Sequence, residues 1–116
     1  MPPAYPLEEV RRLAGLGPPR VHLGKRNAID MVAGALTLKP EDAGAYILAL
    51  IGRLTEDNYA HTKTDQPPPA DVYGLPDGGR GWYIKFAIQR GRLLVISCHV
   101  PGEPLRTRSG TITYRG

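Results

Sequence analysis

Two short stretches of this chain hold five side chains able to move protons or hold phosphate. The first, Tyr59-Ala60-His61-Thr62-Lys63-Thr64, alternates and is rich in strand formers. The second, Gly81 to His99, reads GWYIKFAIQRGRLLVISCH. Side chains alternate along a strand with a period of two. Alternation therefore puts Tyr59, His61 and Lys63 on one face of the first strand. It puts Tyr83, Lys85, Ala87 and Gln89 on one face of the next, opposite Trp82, Ile84, Phe86 and Ile88. Two imidazoles, a phenol and two ammonium groups on one open sheet face suit metal-free cleavage of an RNA phosphodiester. That reaction needs a base for the 2′-OH, an acid for the leaving 5′-oxygen, and cations for the charge growing on phosphate. Imidazole titrates near neutrality and can serve as base or acid, so His61 and His99 are interchangeable at this stage. Lys stabilises charge, and Tyr stacks on a base or donates to phosphate. A lone strand histidine is usually just solvated; company on the same face is what sets these two apart. His22, after Pro18-Pro19, has no such company.

Other chemistries find little support. The chain has no CxxC, HExxH, P-loop or GxGxxG. Asp77-Gly78-Gly79-Arg80-Gly81 is glycine-rich but reads as a turn before a strand. Cys98 and His99 are adjacent on a strand, so they point to opposite faces and cannot form a thiol–imidazole pair. The expectation is no metal and no cofactor.

The register of the second hairpin decides where His99 goes. A two-residue loop, Arg90-Gly91, sends His99 to the apolar side beside Trp82. A three-residue loop, Gln89-Arg90-Gly91, pairs Ile84 with Ile96, Phe86 with Leu94 and Trp82 with Cys98. Tyr83, Lys85, Ser97 and His99 then share the open face. The second register is expected, because a one-residue slip buries a titratable ring. It places Trp82, Phe86 and Ile96 in the core.

The elements that hold this hairpin come earlier. Pro6 to Leu13 fits a short helix with Leu7, Val10, Leu13 and Ala14 as its stripe, ended by Gly15 and Gly17. Val21 to Leu23 is briefly extended, and Lys25 to Leu36 fits a second helix. Pro40, Glu41 and Asp42 open a third, whose body AGAYILALIGRL is almost continuously apolar. Gln66-Pro67-Pro68-Pro69-Ala70 is a stiff loop, and Asp71-Val72-Tyr73 is short and extended. Helices first and strands second predict an α+β domain over residues 1–100, with N-terminal helices on one face of an antiparallel sheet from the C-terminal half. Residues 101–116 read as a basic Pro/Gly-containing tail, with Thr111 to Tyr114 an edge strand or disordered.

Composition sets the outer limits. The 116 residues are 41% hydrophobic and 22% charged, which suits one domain. The formal charge of +4 is compatible with a polyanionic partner without requiring one. No apolar run is long enough to span a membrane, and MPPAYPLEEV lacks a signal-peptide pattern. With a single cysteine, the expectation is a cytoplasmic protein with a buried thiol.

The order of segments resembles a known family. Tyr5-Pro6-Leu7-Glu8-Glu9-Val10-Arg11-Arg12-Leu13 precedes Ile51-Gly52-Arg53-Leu54-Thr55-Glu56-Asp57-Asn58-Tyr59. Asp71-Val72-Tyr73, Trp82-Tyr83-Ile84-Lys85 and Val95-Ile96-Ser97-Cys98-His99 follow. This resembles the MqsR family of type II toxins, RelE-like metal-independent mRNA interferases neutralised by a cognate antitoxin. The resemblance implies a RelE-like two-layer fold, an RNA substrate and an antitoxin partner, with the ribosome a further candidate partner. Where the family's pattern has lysines, this chain has His61 and His99; Tyr83 matches; and Ala70 stands where the family has Gln, leaving Gln66 as the substitute amide. The exchange of two lysines for imidazoles implies either a rewired site or a loss of activity, and two imidazoles on one face favour rewiring. Together the readings give His61, His99, Tyr83 and Lys85 as catalytic, and Lys63, Tyr59, Gln66 and Arg80 as RNA contacts. Two other classes stay open: a non-catalytic RNA- or ribosome-binding module, and a protein–protein adaptor.

Overall fold

The apolar stripe of the first segment forms α1 (Leu7–Leu16) in the computed structural model, which describes residues 2–116. Val10, Leu13 and Ala14 are buried, and Glu8 and Glu9 lie in the first turn, where the helix dipole favours negative charge. Gly15 stays inside the helix; Gly17 ends it at φ 66°. β1 (Val21–Leu23) follows. The expected second helix divides into a π-helical turn over Lys25–Ile29 and α2 (Asp30–Leu36). α3 (Pro40–Arg53) starts on Pro40, which has no N–H to leave unpaired at a helix start. It buries Ala43, Gly44, Ile47, Leu50 and Ile51.

Four longer strands come next: β2 (Tyr59–Lys63), β3 (Ala70–Asp77), β4 (Arg80–Gln89) and β5 (Arg92–His99). The sheet order is β1-β5-β4-β3-β2. β2 to β5 are antiparallel neighbours, and β1 runs parallel to β5 with Val21 opposite Leu93. The sheet is therefore mixed, not antiparallel throughout. The physical reason is chain order. β1 precedes a long crossover of two helices and three strands, so it can return to the free edge of β5 in the parallel sense.

The helices cover one face of this sheet, giving the expected α+β architecture. Trp82, Tyr73, Phe86, Ile84, Ile47 and Leu50 meet there, each no more than 2% exposed. Tyr73 stacks on Phe86 at 5.3 Å, and Tyr46 of α3 meets Trp82 edge-on at 5.6 Å. Tyr46 and Arg53 both hydrogen-bond the Asp77 carboxylate, tying α3 to the β3–β4 turn.

The β4–β5 hairpin corrects the expected register. Its turn has two residues, with Gln89 opposite Arg92, Arg90 at φ 54° and Gly91 at φ 73°. Positive φ at both central positions is the geometry that matches strand twist in a tight hairpin. A bulge then intervenes. Phe86 faces Val95 and Lys85 faces Ser97, so Ile96 is the extra residue. The bulge returns Tyr83 to a place opposite His99. Trp82 lies opposite Leu75, Ile84 opposite Cys98 and Leu94 opposite Ala87, so the expected Trp82–Cys98, Ile84–Ile96 and Phe86–Leu94 pairs are not formed. Ile96 itself is only half-buried, outside the core.

The tail is neither an edge strand nor disordered. β6 (Leu105–Thr107) and β7 (Gly110–Ile112) form a separate hairpin on the open face. Leu105 and Ile112 bury Val72 there, with Ala60 and Tyr83 beside them. Gly74 permits this approach: a Cβ there would stand 2.8 Å from Leu105 Cδ2 and 2.9 Å from Thr107 Cγ2.

Candidate active site

Sheet register places the open face residue by residue. His61 lies opposite Val72, Val72 opposite Lys85, and Lys85 opposite Ser97. In the next row Gly74, Tyr83 and His99 lie side by side, and Lys63 lies opposite Ala70. The rows become two clefts. One, of about 420 Å³, is lined by His61, Lys63, Tyr83 and His99, with Pro101 to Leu105 as its far wall. The other, of about 190 Å³, is lined by Lys63, Lys85, Ile96, Asp65 and Gln66 with Pro67, Pro68 and Ala70. Lys63 belongs to both, so the two adjoin. Six expected site residues thus come together: His61, Lys63, Gln66, Tyr83, Lys85 and His99.

Tyr59 and Arg80 do not join them. The strand alternation fails at Ala60, where a bulge separates the Tyr59–Tyr73 pair from the His61–Val72 pair. Tyr59 therefore turns inward and is 4% exposed, with its ring edge-on to Tyr73 at 5.5 Å. Its hydroxyl meets Thr62 Oγ1, and the Arg108 guanidinium lies 5.0 Å above its ring. Arg80 lies on the helix-facing side of β4 and donates to the Ala35 carbonyl at 2.7 Å. Both residues hold the fold together.

His99 is held in a defined pose. Its ring stacks on Tyr83 with centroids 4.8 Å apart and planes at 12°. Nδ1 lies 2.8 Å from the Val100 carbonyl oxygen. A carbonyl only accepts, so Nδ1 carries the hydrogen, and Nε2 is the atom left for the cleft. His61 lies on the opposite wall. Desolvation, and after it the positive charge of Lys63, holds its imidazole below the usual histidine value. Burial raises Tyr83 above the usual phenol value, so it stays a neutral donor near neutrality. Three strand spacings, about 14 Å, and a further step of two residues along β5 separate the His61 and His99 backbones. Both side chains line the larger cleft, one from β2 and one from β5.

Cys98 faces the helices, where burial pushes its thiol up to about 12. That leaves no thiolate at neutral pH. Asp71, the first residue of the Asp-Val-Tyr segment, is fully buried and accepts from Ala4 N, Tyr5 N and Thr62 Oγ1 at 2.8, 3.0 and 2.6 Å. Its role is to clamp the N-terminal arm to the sheet. Among the described residues no three His, Cys, Asp or Glu side chains converge on a point where a metal would bind. Nor does any described helix have the length and apolarity to cross a membrane.

The far wall of the larger cleft was not foreseen. Pro101, Gly102, Glu103 and Pro104 follow His99 directly and bring a carboxylate to the site. The available signal was the doubled proline around Gly102-Glu103, which fixes a chain reversal rather than an open tail. No protein-family model and no curated protein matches the chain.

Proposed function

We propose that this chain is a metal-independent endoribonuclease, the toxin of a type II toxin–antitoxin pair of the MqsR-like, RelE-related kind. The observation that carries the reading is the convergence of two imidazoles, two ammonium groups and a neutral phenol on adjoining clefts of one sheet face. His61, held neutral near pH 7, takes the 2′-OH proton. The freed 2′-oxygen attacks the phosphorus and forms a 2′,3′-cyclic phosphate. His99, as the imidazolium whose Nδ1–H is held by the Val100 carbonyl, gives its Nε2 proton to the departing 5′-oxygen. Lys63, which both clefts share, and Lys85, in the smaller one, hold the phosphate oxygens. Tyr83 keeps the His99 ring in plane and presents a hydroxyl to the phosphate or a face to a base. Gln66, in the smaller cleft, supplies an amide for a base edge. The substrate class places the protein with cytoplasmic mRNA, and its basic, cleft-bearing face is the surface an antitoxin would cover.

The test is cleavage of a defined mRNA by purified protein. The products should carry 2′,3′-cyclic phosphate and 5′-hydroxyl ends, and expression without a partner should arrest growth. Folded protein that leaves RNA intact and growth normal refutes the reading. The three strand spacings between the imidazoles favour one rival, a non-catalytic RNA-binding module on the same face. For that rival, His61→Ala and His99→Ala leave every measurable activity in place; for the enzyme they abolish cleavage and spare RNA affinity.

A further inference from the structure

Three arginines gather at the end of the sheet away from His61 and His99. Arg90 occupies the β4–β5 turn, Arg92 starts β5, and Arg20 sits just before β1; with Pro19 they line one shallow depression. All three are exposed. The ion pairs among the described residues are Arg12–Glu9, Lys25–Asp30 and Arg53–Asp77, so none of the three has a carboxylate partner.

The cluster is held in place. The Arg20 carbonyl accepts from Leu93 N at 2.8 Å, and Arg92 Nε donates to the Pro19 carbonyl at 3.1 Å. Arg20 Nη1 lies over the turn, 3.7 Å from where a Cβ on Gly91 would stand. Arg90 also occupies a position its backbone disfavours. At φ 54° it takes the left-handed conformation that tight hairpins usually give to Asn, Asp or Gly. An arginine there raises the local strain and gives a charged tip in return, a pattern that points to use of the side chain.

Register ties the cluster to the clefts. Lys85, Ala87 and Gln89 alternate along the open side of β4, and Leu94 and Arg92 oppose the last two. Five residues of strand, about 17 Å, separate Lys85 from Arg90. We propose that Arg20, Arg90 and Arg92 form a second phosphate-binding site, which holds the backbone of a single-stranded RNA whose other end lies in the cleft. Forked guanidiniums suit phosphate oxygens. Pro19 is the one apolar residue that lines the depression, whereas a protein partner would need an apolar centre of large side chains. This site rests on the ribonuclease reading only for its ligand, RNA.

The probe is a labelled RNA of about 20 nucleotides, compared with one of about 4 that covers a single site. Binding is measured by anisotropy against salt, with the wild type and the triple variant Arg20→Gln/Arg90→Asn/Arg92→Gln. Each lost phosphate contact removes about 0.7 from the slope of log affinity against log salt, so the variant loses about 2. At 0.1 M salt that is a loss of about 100-fold for the long RNA, with the short RNA unaffected. An unchanged slope and affinity for the long RNA, in a variant with wild-type melting temperature, overturns the site; cleavage that persists then leaves the ribonuclease reading intact. If the wild type binds RNA through these arginines but never cuts it, the site stands and the ribonuclease reading falls. Absence of any RNA binding overturns both. Loss of polyglutamate binding with RNA affinity retained assigns the arginines to an acidic protein and overturns the RNA site.

Discussion

Gly81→Ala should release the C-terminal hairpin from the sheet without unfolding the helices behind it. A Cβ at residue 81 would overlap the Thr113 carbonyl oxygen and Ile112 Cγ2. The first is backbone and cannot rotate away. Ordinary contact needs about 3.5 Å between carbon atoms, so the end of β7 must move outward by more than about 1 Å. The movement breaks the Gly81 N–H to Tyr114 O bond, 3.3 Å long, and lifts Ile112 from Val72. At the opposite end Arg108 N and Ser109 N donate to the Tyr59 and Asp57 carbonyls at 3.0 and 2.9 Å, so Arg106 and Arg108 become open to a protease only when the whole hairpin lifts. Overpacking of this kind costs about 2 kcal/mol. Burial of Ile112 contributes a similar amount and bounds the loss from above. A change of about 2 kcal/mol moves the ratio of docked to open hairpin by about 30-fold.

Tryptic cleavage after Arg106 and Arg108 reads that ratio, since proteolysis follows the open population when closing is fast. The initial rate should rise about 30-fold in Gly81→Ala, while cleavage after Arg53, the last residue of α3, does not change. Gly34→Ala is the control, because nothing lies within 4 Å of a Cβ at that exposed helical site. Cleavage of RNA should fall with the docked fraction, because Pro101 to Leu105 form a wall of the larger cleft. Wild-type tryptic rates at Arg106 and Arg108 in Gly81→Ala would show that the hairpin yields without opening, and the argument from Gly81 would be wrong.

The remaining predictions concern the site and its supports. His61→Ala and His99→Ala should each lower the cleavage rate by about two to four powers of ten, with unchanged urea midpoints and loss of one limb of a bell-shaped pH profile; His61→Lys and His99→Lys with full rates and the same profile would reduce both imidazoles to fixed charges. The lowered pKa of His61 gives a stability contribution that is full above its unfolded value and lost as pH falls through the folded one, so His61→Gln should flatten the loss of stability on mild acidification. EDTA should leave cleavage unchanged, because both proton transfers run through side chains; restoration by a divalent ion after inhibition would reject the scheme. Cys98 should resist a thiol reagent in the native protein and react on unfolding, so rapid native reaction would contradict its burial. Asp71→Ala should cost about 3 kcal/mol by stranding two backbone N–H groups and the Thr62 hydroxyl, with Asp71→Asn losing less; equal urea midpoints would show the clamp is dispensable.

The helices were legible because their signals are local. Leu7, Val10 and Leu13 repeat at helical spacing, and Pro40-Glu41-Asp42 marks a start whose chemistry belongs to three adjacent residues. The parallel pairing of β1 was not legible. Val21 to Leu23 is three residues long, and its partner Leu93 lies 72 positions away. Nothing within a window around residue 21 carries that contact. The tail hairpin hid for a related reason. Its two strands have three residues each, and the surface that receives it is defined by glycines at 74 and 81, where the missing side chain is the signal. A glycine in a strand reads equally well as a weakness or as a place where other backbone approaches.

The site was legible for the wrong reason. Simple alternation from a two-residue turn would carry His99 into the core beside Trp82, which is why alternation alone favours the three-residue turn. The two-residue turn is nevertheless used, and the bulge at Ile96 reverses the alternation between Val95 and Ser97. The same device acts on β2, where the bulge at Ala60 sends Tyr59 inward and leaves His61 outward. Each bulge lies within three residues of the histidine whose face it sets. Two constraints explain the pattern. The apolar residues nearest the turn, Leu93 and Val95, must face the helices, and so must Cys98 farther along. An even spacing and an odd spacing cannot both obey a period of two, so one residue must fall out of step. The run Leu93-Leu94-Val95-Ile96 is where apolar character is continuous and the slip leaves no charge buried. Ile96, released from the core, becomes part of the wall of the smaller cleft beside Lys85. The residue that sets the direction of His99 is therefore one that the alternation pattern assigns to the core, and its half-burial is the structural mark of the exchange.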